Sequence, residues 1–297
     1  MSRGPDHARD DRTPDRAQEV RTSDPVVRES RPNVPTRHLD LPRTGRREWV
    51  TEGDRTYHLR ASEVRLLATV GTFRSVAAHD LEGTRDGRDV WHGDLQRLVD
   101  QGLVERTAAT INHRATAIVT LTADGRDLLA SHQASSDCRT PQTYYADLVK
   151  TRELNHDAQM YRLFQAEAAK IEAAGGRVER VVVDYEIKRE YQRFLNRGDR
   201  DDDAGGRDMQ TFADAWDLPI IDGHLELPDL RIEYETADGR LEHRDVELVT
   251  EHYSRGQLAG KARAGFAMYR AAGGRSGGGS SRHGGTPMDP HNLEWLR

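Results

Sequence analysis

The sequence is poor in several things, and each shortage excludes something. There is one cysteine, Cys138, in 297 residues, which rules out a disulfide framework and any zinc cluster built from cysteines. Aromatic residues make up 6% and hydrophobic residues 35%, against 32% charged. With a mean hydropathy of -0.83, the whole chain cannot be packed core, and part of it is expected to be unfolded or highly solvated. No apolar run approaches membrane-spanning length, and no signal-peptide core stands at the N-terminus, so no membrane partner is expected. A reducing, cytoplasmic setting suits the lone cysteine. The glycine-rich loop that cradles phosphates in nucleotide-binding proteins is missing, so no nucleotide cofactor is expected. Positive charge is not in excess either: 44 Lys and Arg face 50 Asp and Glu, a net charge of -6. That argues against a uniformly basic binder but leaves room for a local positive face.

What is present falls into blocks. Residues 1–50 interleave proline, arginine and aspartate with almost no apolar clustering, and are expected to be a disordered tail. In residues 51–135 the texture changes. Ser62 resembles an N-cap, with Glu63 in the first turn, ahead of Val64, Leu66, Leu67 and Val70. A second short helix is expected over Ser75–Leu81 and a third over Val90–Val99, with Gly102 at its C-terminal cap. Leu103–Arg106 and Ala117–Leu121 read as a β pair around a polar tip, and Thr122 opens a last helix. Three helices, a two-stranded wing and a closing helix make the layout of a winged helix-turn-helix domain. On that layout the third helix lies in the major groove of double-stranded DNA. His92, Gln96 and Arg97 are its polar candidates, and Arg106, His113 and Arg114 serve the wing and the phosphates. Leu95, Leu98 and Val99 face the core. Asp94 and Asp100 subtract from the positive footprint. The competing reading is a protein-contact or dimerisation module, which would make a homodimer.

Residues 143–272 form a second block. A long helix is expected over Tyr144–Ala174, stopped by Gly175-Gly176, followed by a buried strand, Val178–Asp184. A charged helix, Glu186–Arg197, leads into an expected flexible insertion from Gly198 to Met209. Leu230, Ile232 and Tyr234 alternate with Arg231, Glu233 and Glu235, the period of a half-buried strand. Ala237-Asp238-Gly239 turns the chain into a second strand, Arg240–Thr250. A helix starting near Ser254 carries Leu258, Ala262, Phe266 and Tyr269 as far as Arg270. The chain turns glycine-rich after Ala272, so no further core strand is expected, and residues 273–297 read as a flexible tail. The fold class is α+β, with both termini disordered.

Asp229 and Glu247 lie on neighbouring strands and Lys261 on the following helix, a trio able to hold a divalent metal beside a phosphate. The competing reading is the wet face of a strand. Glu247 sits among apolar neighbours, where an unpaired carboxylate is costly. His156, on the long helix, reads as structural.

The order helix, strand, hairpin opening on Pro228-Asp229, Glu247, helix resembles the PD-(D/E)XK, or restriction-endonuclease-like, core. That resemblance implies Mg²⁺ held by Asp229 and Glu247, with the catalytic lysine supplied by Lys261, because Val249 stands where the family's lysine is usually found. An acid from Glu153, Asp157 or Glu186 would complete such a site. Four segments carry a closer likeness, to the replication-relaxation family of plasmid and mobile-element proteins. They are LNHDAQMYRLF (Leu154–Phe164), VVVDYE (Val181–Glu186), LPDLRIEYE (Leu227–Glu235) and VELVTEHYSRGQLAGKARAGFAMYR (Val246–Arg270). The likeness covers roughly residues 59–270. It implies a DNA-binding protein of plasmid replication and DNA relaxation, with a metal-dependent DNA-nicking endonuclease domain. The alternative is a non-catalytic winged-helix regulator or replication accessory protein on a degenerate nuclease fold.

Overall fold

The computed structural model describes residues 1, 34–81, 84–85, 88–89, 92–111, 114–134, 141–146, 154–197, 204–250, 253–271 and 286–287. Most of the expected N-terminal tail lies outside these residues. Its last part does not behave as expected: Val34, Leu39 and Leu41 are buried, and Arg37 Nη2 donates to the Val178 carbonyl at 2.8 Å. The segment has too few aliphatic residues for a core of its own, but they are enough to seal one built by the rest of the chain.

A hairpin of β1 (Glu48–Glu52) and β2 (Arg55–Leu59) leads into α1 (Ala61–Thr72). The N-cap is Arg60 rather than Ser62, and the Glu63 carboxylate accepts the Arg60 N–H at 3.0 Å. Next come β3 (Val76–Ala77), α2 (Ala78–Leu81), β4 (Thr84–Arg85), β5 (Arg88–Asp89) and α3 (His92–Asp100). Strands β6 (Val104–Ile111) and β7 (Arg114–Leu121) form a hairpin longer than the sequence suggests, and α4 (Ala123–Ser131) closes the region. β3 pairs with β7, giving a three-stranded antiparallel sheet in the order β3-β7-β6. Leu95 and Leu98 of α3 are buried. Asp94 is buried with them, held by Arg60 Nε at 3.1 Å and near Arg47 at 3.6 Å. Its charge is therefore compensated inside the fold and is not displayed on the exposed face of α3.

Residues 141–146 are not helical, with Tyr144 and Tyr145 buried, so the long helix starts later than the spacing predicts, at α5 (Leu154–Ala173). Strand β8 (Arg177–Val183), α6 (Asp184–Arg197) and α7 (Ala204–Trp216) follow. Helix α7 occupies part of the expected flexible insertion. Phe212, in its second half, packs with Val182, Ile187 and Leu218, and this tertiary contact outweighs the weak helix propensity of Gly205 and Gly206. A small hairpin of β9 (Ile220–Ile221) and β10 (His224–Leu225) precedes β11 (Leu230–Glu235), β12 (Leu241–Val249), α8 (Arg255–Arg263), β13 (Ala267–Arg270) and β14 (Thr286–Pro287).

The second sheet runs β14-β13-β12-β11-β8. β8, β11 and β12 are antiparallel neighbours, and α8 crosses over to place β13 parallel to β12. The strand that the sequence reading expected to be missing is therefore there. Gly265, at φ +78°, breaks α8, a conformation glycine adopts at little cost. Met268 and Tyr269 are then buried as strand residues and not as a helix face. The one core cluster that includes Leu66, Phe73 and Leu121 also includes Phe164, Val181, Ile232 and Leu248. The class is α+β, with eight helices and several sheets among the described residues. Among those residues no helix is long and apolar enough to cross a membrane.

Candidate active site

Asp229 stands immediately before β11, after Pro228. Its Oδ2 accepts the backbone N–H of Leu248 across the sheet at 2.8 Å, and its own carbonyl accepts the N–H of Asp184, the first residue of α6, at 2.9 Å. The backbone on both sides of the carboxylate is thus fixed by β12 and by the start of α6.

Glu247 lies in the middle of β12. Val246 and Leu248 point into the main core, so strand alternation puts Glu247 on the opposite face together with Val249, which packs on Leu258 of α8. Only 1% of Glu247 is exposed. Its Oε1 accepts a hydrogen bond from the Tyr253 hydroxyl and lies 3.3 Å from Lys261 Nζ. Its Oε2 is buried with no hydrogen-bond partner.

Lys261 reaches the site because of how α8 begins. Ser254 caps the helix and the Gln257 side chain returns a bond to the Ser254 N–H at 2.8 Å. Two turns on, Lys261 Nζ donates to the Leu227 carbonyl at 2.5 Å and approaches Glu226 at 3.5 Å. A Cβ at Gly260 beside it would meet Glu226 Oε1 at 2.8 Å and displace the end of that side chain.

The electrostatics follow from this arrangement. Burial, then the negative charge of Asp229, push the Glu247 carboxyl up to about 7, with Lys261 and Tyr253 opposing. Asp229 moves the other way: burial is outweighed by the bond and charge of His156, by the Leu248 N–H and by Lys261, so it stays ionised below the usual carboxylate range. His156 Nε2 lies 3.3 Å from Asp229 Oδ1, and its Nδ1 lies 3.5 Å from Asp157. Burial lowers the imidazole, but Asp157, Asp229 and Asp184 together lift it to about 10. Lys188 bonds Asp184 at 2.6 Å. Its ammonium is held above its ordinary value because Asp184, Asp229 and Glu247 outweigh burial.

The three residues singled out in the sequence therefore lie within electrostatic reach of one another. Asp229 and Glu247 interact through their charges, and Lys261 touches Glu247 directly. Of the three candidate extra acids, the two among the described residues, Glu186 and Asp157, do not join them. Glu186 is bound by Arg180 and the Tyr145 hydroxyl, Asp157 stands behind His156 and 3.7 Å from Arg74, and Glu153 lies outside the described residues. The group that α5 contributes is His156, which the sequence reading treated as structural. Tyr253, Asp184 and Lys188 were missed altogether. The one available hint was the His156-Asp157 pair near the start of a helix. A cleft of about 430 Å³ opens beside Lys261 and Tyr253, bordered also by Glu226, Gln257 and Gly260. Among the described residues, no group of three or more His, Cys, Asp and Glu side chains forms a ready metal cage.

In the candidate DNA face, Gln96 and Arg97 lie together on the exposed side of α3, with Gln96 bonded to Asp100 at 2.8 Å. Arg106 is exposed on β6. His92 lies in α3 and Arg114 in β7, but their side chains are outside the described residues, as is all of His113.

No family description, no curated protein and no solved structure matches this chain.

Proposed function

We propose that this chain is a DNA-binding protein of the replication-relaxation kind, which docks on double-stranded DNA through an N-terminal winged helix and nicks it with a PD-(D/E)XK-type site. Support for the first half is the order α1, β3, α2, α3 and the β6–β7 hairpin, with Gln96 and Arg97 side by side on the open face of α3. Support for the second is α5 with the antiparallel strands β8, β11 and β12, α6, α7 and the β9–β10 hairpin standing between β8 and β11, followed by the crossover helix α8 and the parallel strand β13, with Asp229 at the start of β11 and Glu247 on β12.

The observation that carries the reading is Glu247. A carboxylate buried to 1% exposure, raised to about 7 by that burial and by the charge of Asp229 despite Lys261 at 3.3 Å, and left with an unpartnered oxygen, is incompletely compensated. A divalent cation such as Mg²⁺ matches that deficit, and Asp229 and Glu247 are the residues that would hold it. Such an ion supplies Lewis acidity to a phosphate and lowers the pKa of bound water. The chain's own groups do the rest. His156 keeps Asp229 ionised, Tyr253 orients Glu247 by occupying Oε1, and Lys261 sets a positive charge at the mouth of the cleft, where a phosphodiester would develop negative charge.

The test is nicking of supercoiled plasmid with Mg²⁺ or Mn²⁺, comparing the wild type with Asp229→Asn. Metal-dependent nicking lost in the variant supports the reading, and equal nicking by both removes Asp229 from the chemistry. A second reading has its own observation: Lys261 and His156 already neutralise both acids, which suits a non-catalytic regulator on a degenerate nuclease fold. It is favoured if DNA binding falls with Arg97→Ala but no nicking occurs with any metal.

A further inference from the structure

Next along the chain from Asp184, which bonds the Asp229 carbonyl, stands an aromatic side chain that the proposed chemistry does not use. Tyr185 is the second residue of α6, directly after Asp184, whose N–H is bonded to Asp229. The residue is 43% exposed. The Arg74 guanidinium lies 4.6 Å from the ring centroid and that of Arg189 5.9 Å, and Tyr145 meets the ring edge-on at 5.6 Å. The backbone places these groups firmly. Arg74 takes a left-handed conformation, φ +63°, in the turn after α1, which is strained for a non-glycine residue. Its guanidinium is steadied 3.7 Å from Asp157, the residue that also flanks His156. Arg189 has Glu190 at 3.7 Å, and its Nε is buried without a hydrogen-bond partner. Lys188, on the same turn of α6, bonds Asp184 and feels the charges of Asp229 and Glu247.

A partly exposed tyrosine with two guanidiniums near its ring, one residue along the chain from the N–H that bonds Asp229, has the composition of a surface that stacks an unpaired base and grips its phosphates. The geometry points to Tyr185, with Arg74 and Arg189, as a stacking platform for an unpaired nucleotide of a DNA strand led towards Asp229 and Glu247. The inference rests on the DNA-directed reading of that acid pair. It adds that the strand presented there is locally single-stranded, which the groove-reading face of α3 does not require.

The experiment is fluorescence anisotropy of the full chain with a labelled oligo-dT strand and with a duplex of equal length, in EDTA so that cleavage plays no part. Tyr185→Ala is expected to weaken single-strand binding about tenfold, in line with the loss of one stacked base. Tyr185→Phe is expected to stay within about twofold, and duplex binding to change little. Melting curves of both variants exclude misfolding. Equal single-strand affinity in wild type and Tyr185→Ala, no single-strand binding by the wild type, or equal losses in the Ala and Phe variants overturns the platform. If the Tyr185 dependence holds while no metal supports plasmid nicking, the platform stands and the nuclease reading falls. If nicking is metal-dependent and Tyr185→Ala binds like wild type, the platform alone falls.

Discussion

Lys261 Nζ lies 3.3 Å from Glu247 Oε1, and that contact joins a crossover helix to the central strand it covers. Glu247 nonetheless retains a raised carboxyl, because burial and Asp229 act against the ammonium. The site is therefore electrostatically uncomfortable as it stands, and this discomfort is measurable.

Glu247 should make the protein less stable as pH rises. Its folded-state carboxyl titrates at about 7, above its ordinary 4.5, so between those values the native state binds more protons than the unfolded state and stability falls with increasing pH. Denaturant unfolding at pH 5 and pH 8 is expected to show Glu247→Gln gaining on the wild type at the higher pH, by on the order of 1–3 kcal/mol. Parallel pH profiles would contradict this.

His156 should be an imidazolium at neutral pH. Its pKa is raised to about 10, so the stability it contributes is complete below its ordinary 6.5 and disappears as pH climbs through the raised value. Ring-carbon shifts in NMR are expected to remain those of the charged form at pH 8. A titration near 6.5 would mean that the contacts with Asp229 and Asp157 are weak in solution.

Arg97 and Arg60 should separate binding from folding. Arg97 is exposed on α3, and Arg97→Ala is expected to weaken duplex binding and reduce its salt dependence, with stability unchanged within about 0.5 kcal/mol. Arg60 holds buried Asp94, and Arg60→Ala is expected to cost about 2–4 kcal/mol in denaturant unfolding, because it leaves a buried charge poorly compensated. Comparable melting losses in both variants would refute this division.

Gly125 should not tolerate a methyl group. A Cβ there would come within 2.1 Å of the Leu103 carbonyl oxygen, so the first turn of α4 can sit this close to the residue that leads into β6 only as glycine. Gly125→Ala is expected to destabilise by about 2 kcal/mol or more, read as a lowered midpoint in thermal unfolding.

The hairpin around Asp238-Gly239 and the strand Arg177–Val183 were legible in the sequence, because period-two alternation and a continuous valine run leave few alternatives. Asp229, Glu247 and Lys261 were legible as a trio because each has a local signal: a proline before the first, apolar neighbours around the second, and a helix following for the third. Strand β13 was not. Phe266 and Tyr269 extend the apolar spacing of α8 without a break, and only Gly265 marks the change. His156 was unreadable for another reason. Its partner Asp229 is distant in sequence and is brought to it only when α5 packs on the sheet. The packing of Val34, Leu39 and Leu41 likewise depends on a core that other segments supply.

Calorimetric titration of Mn²⁺ into the wild type and Glu247→Gln at pH 7.5 examines the acid pair itself, apart from any DNA. One ion bound per wild-type chain, with at least tenfold weaker binding in the variant, is the expected result. An absence of binding by the wild type, or identical isotherms for the two proteins, would contradict the assignment of Asp229 and Glu247 as a cation site.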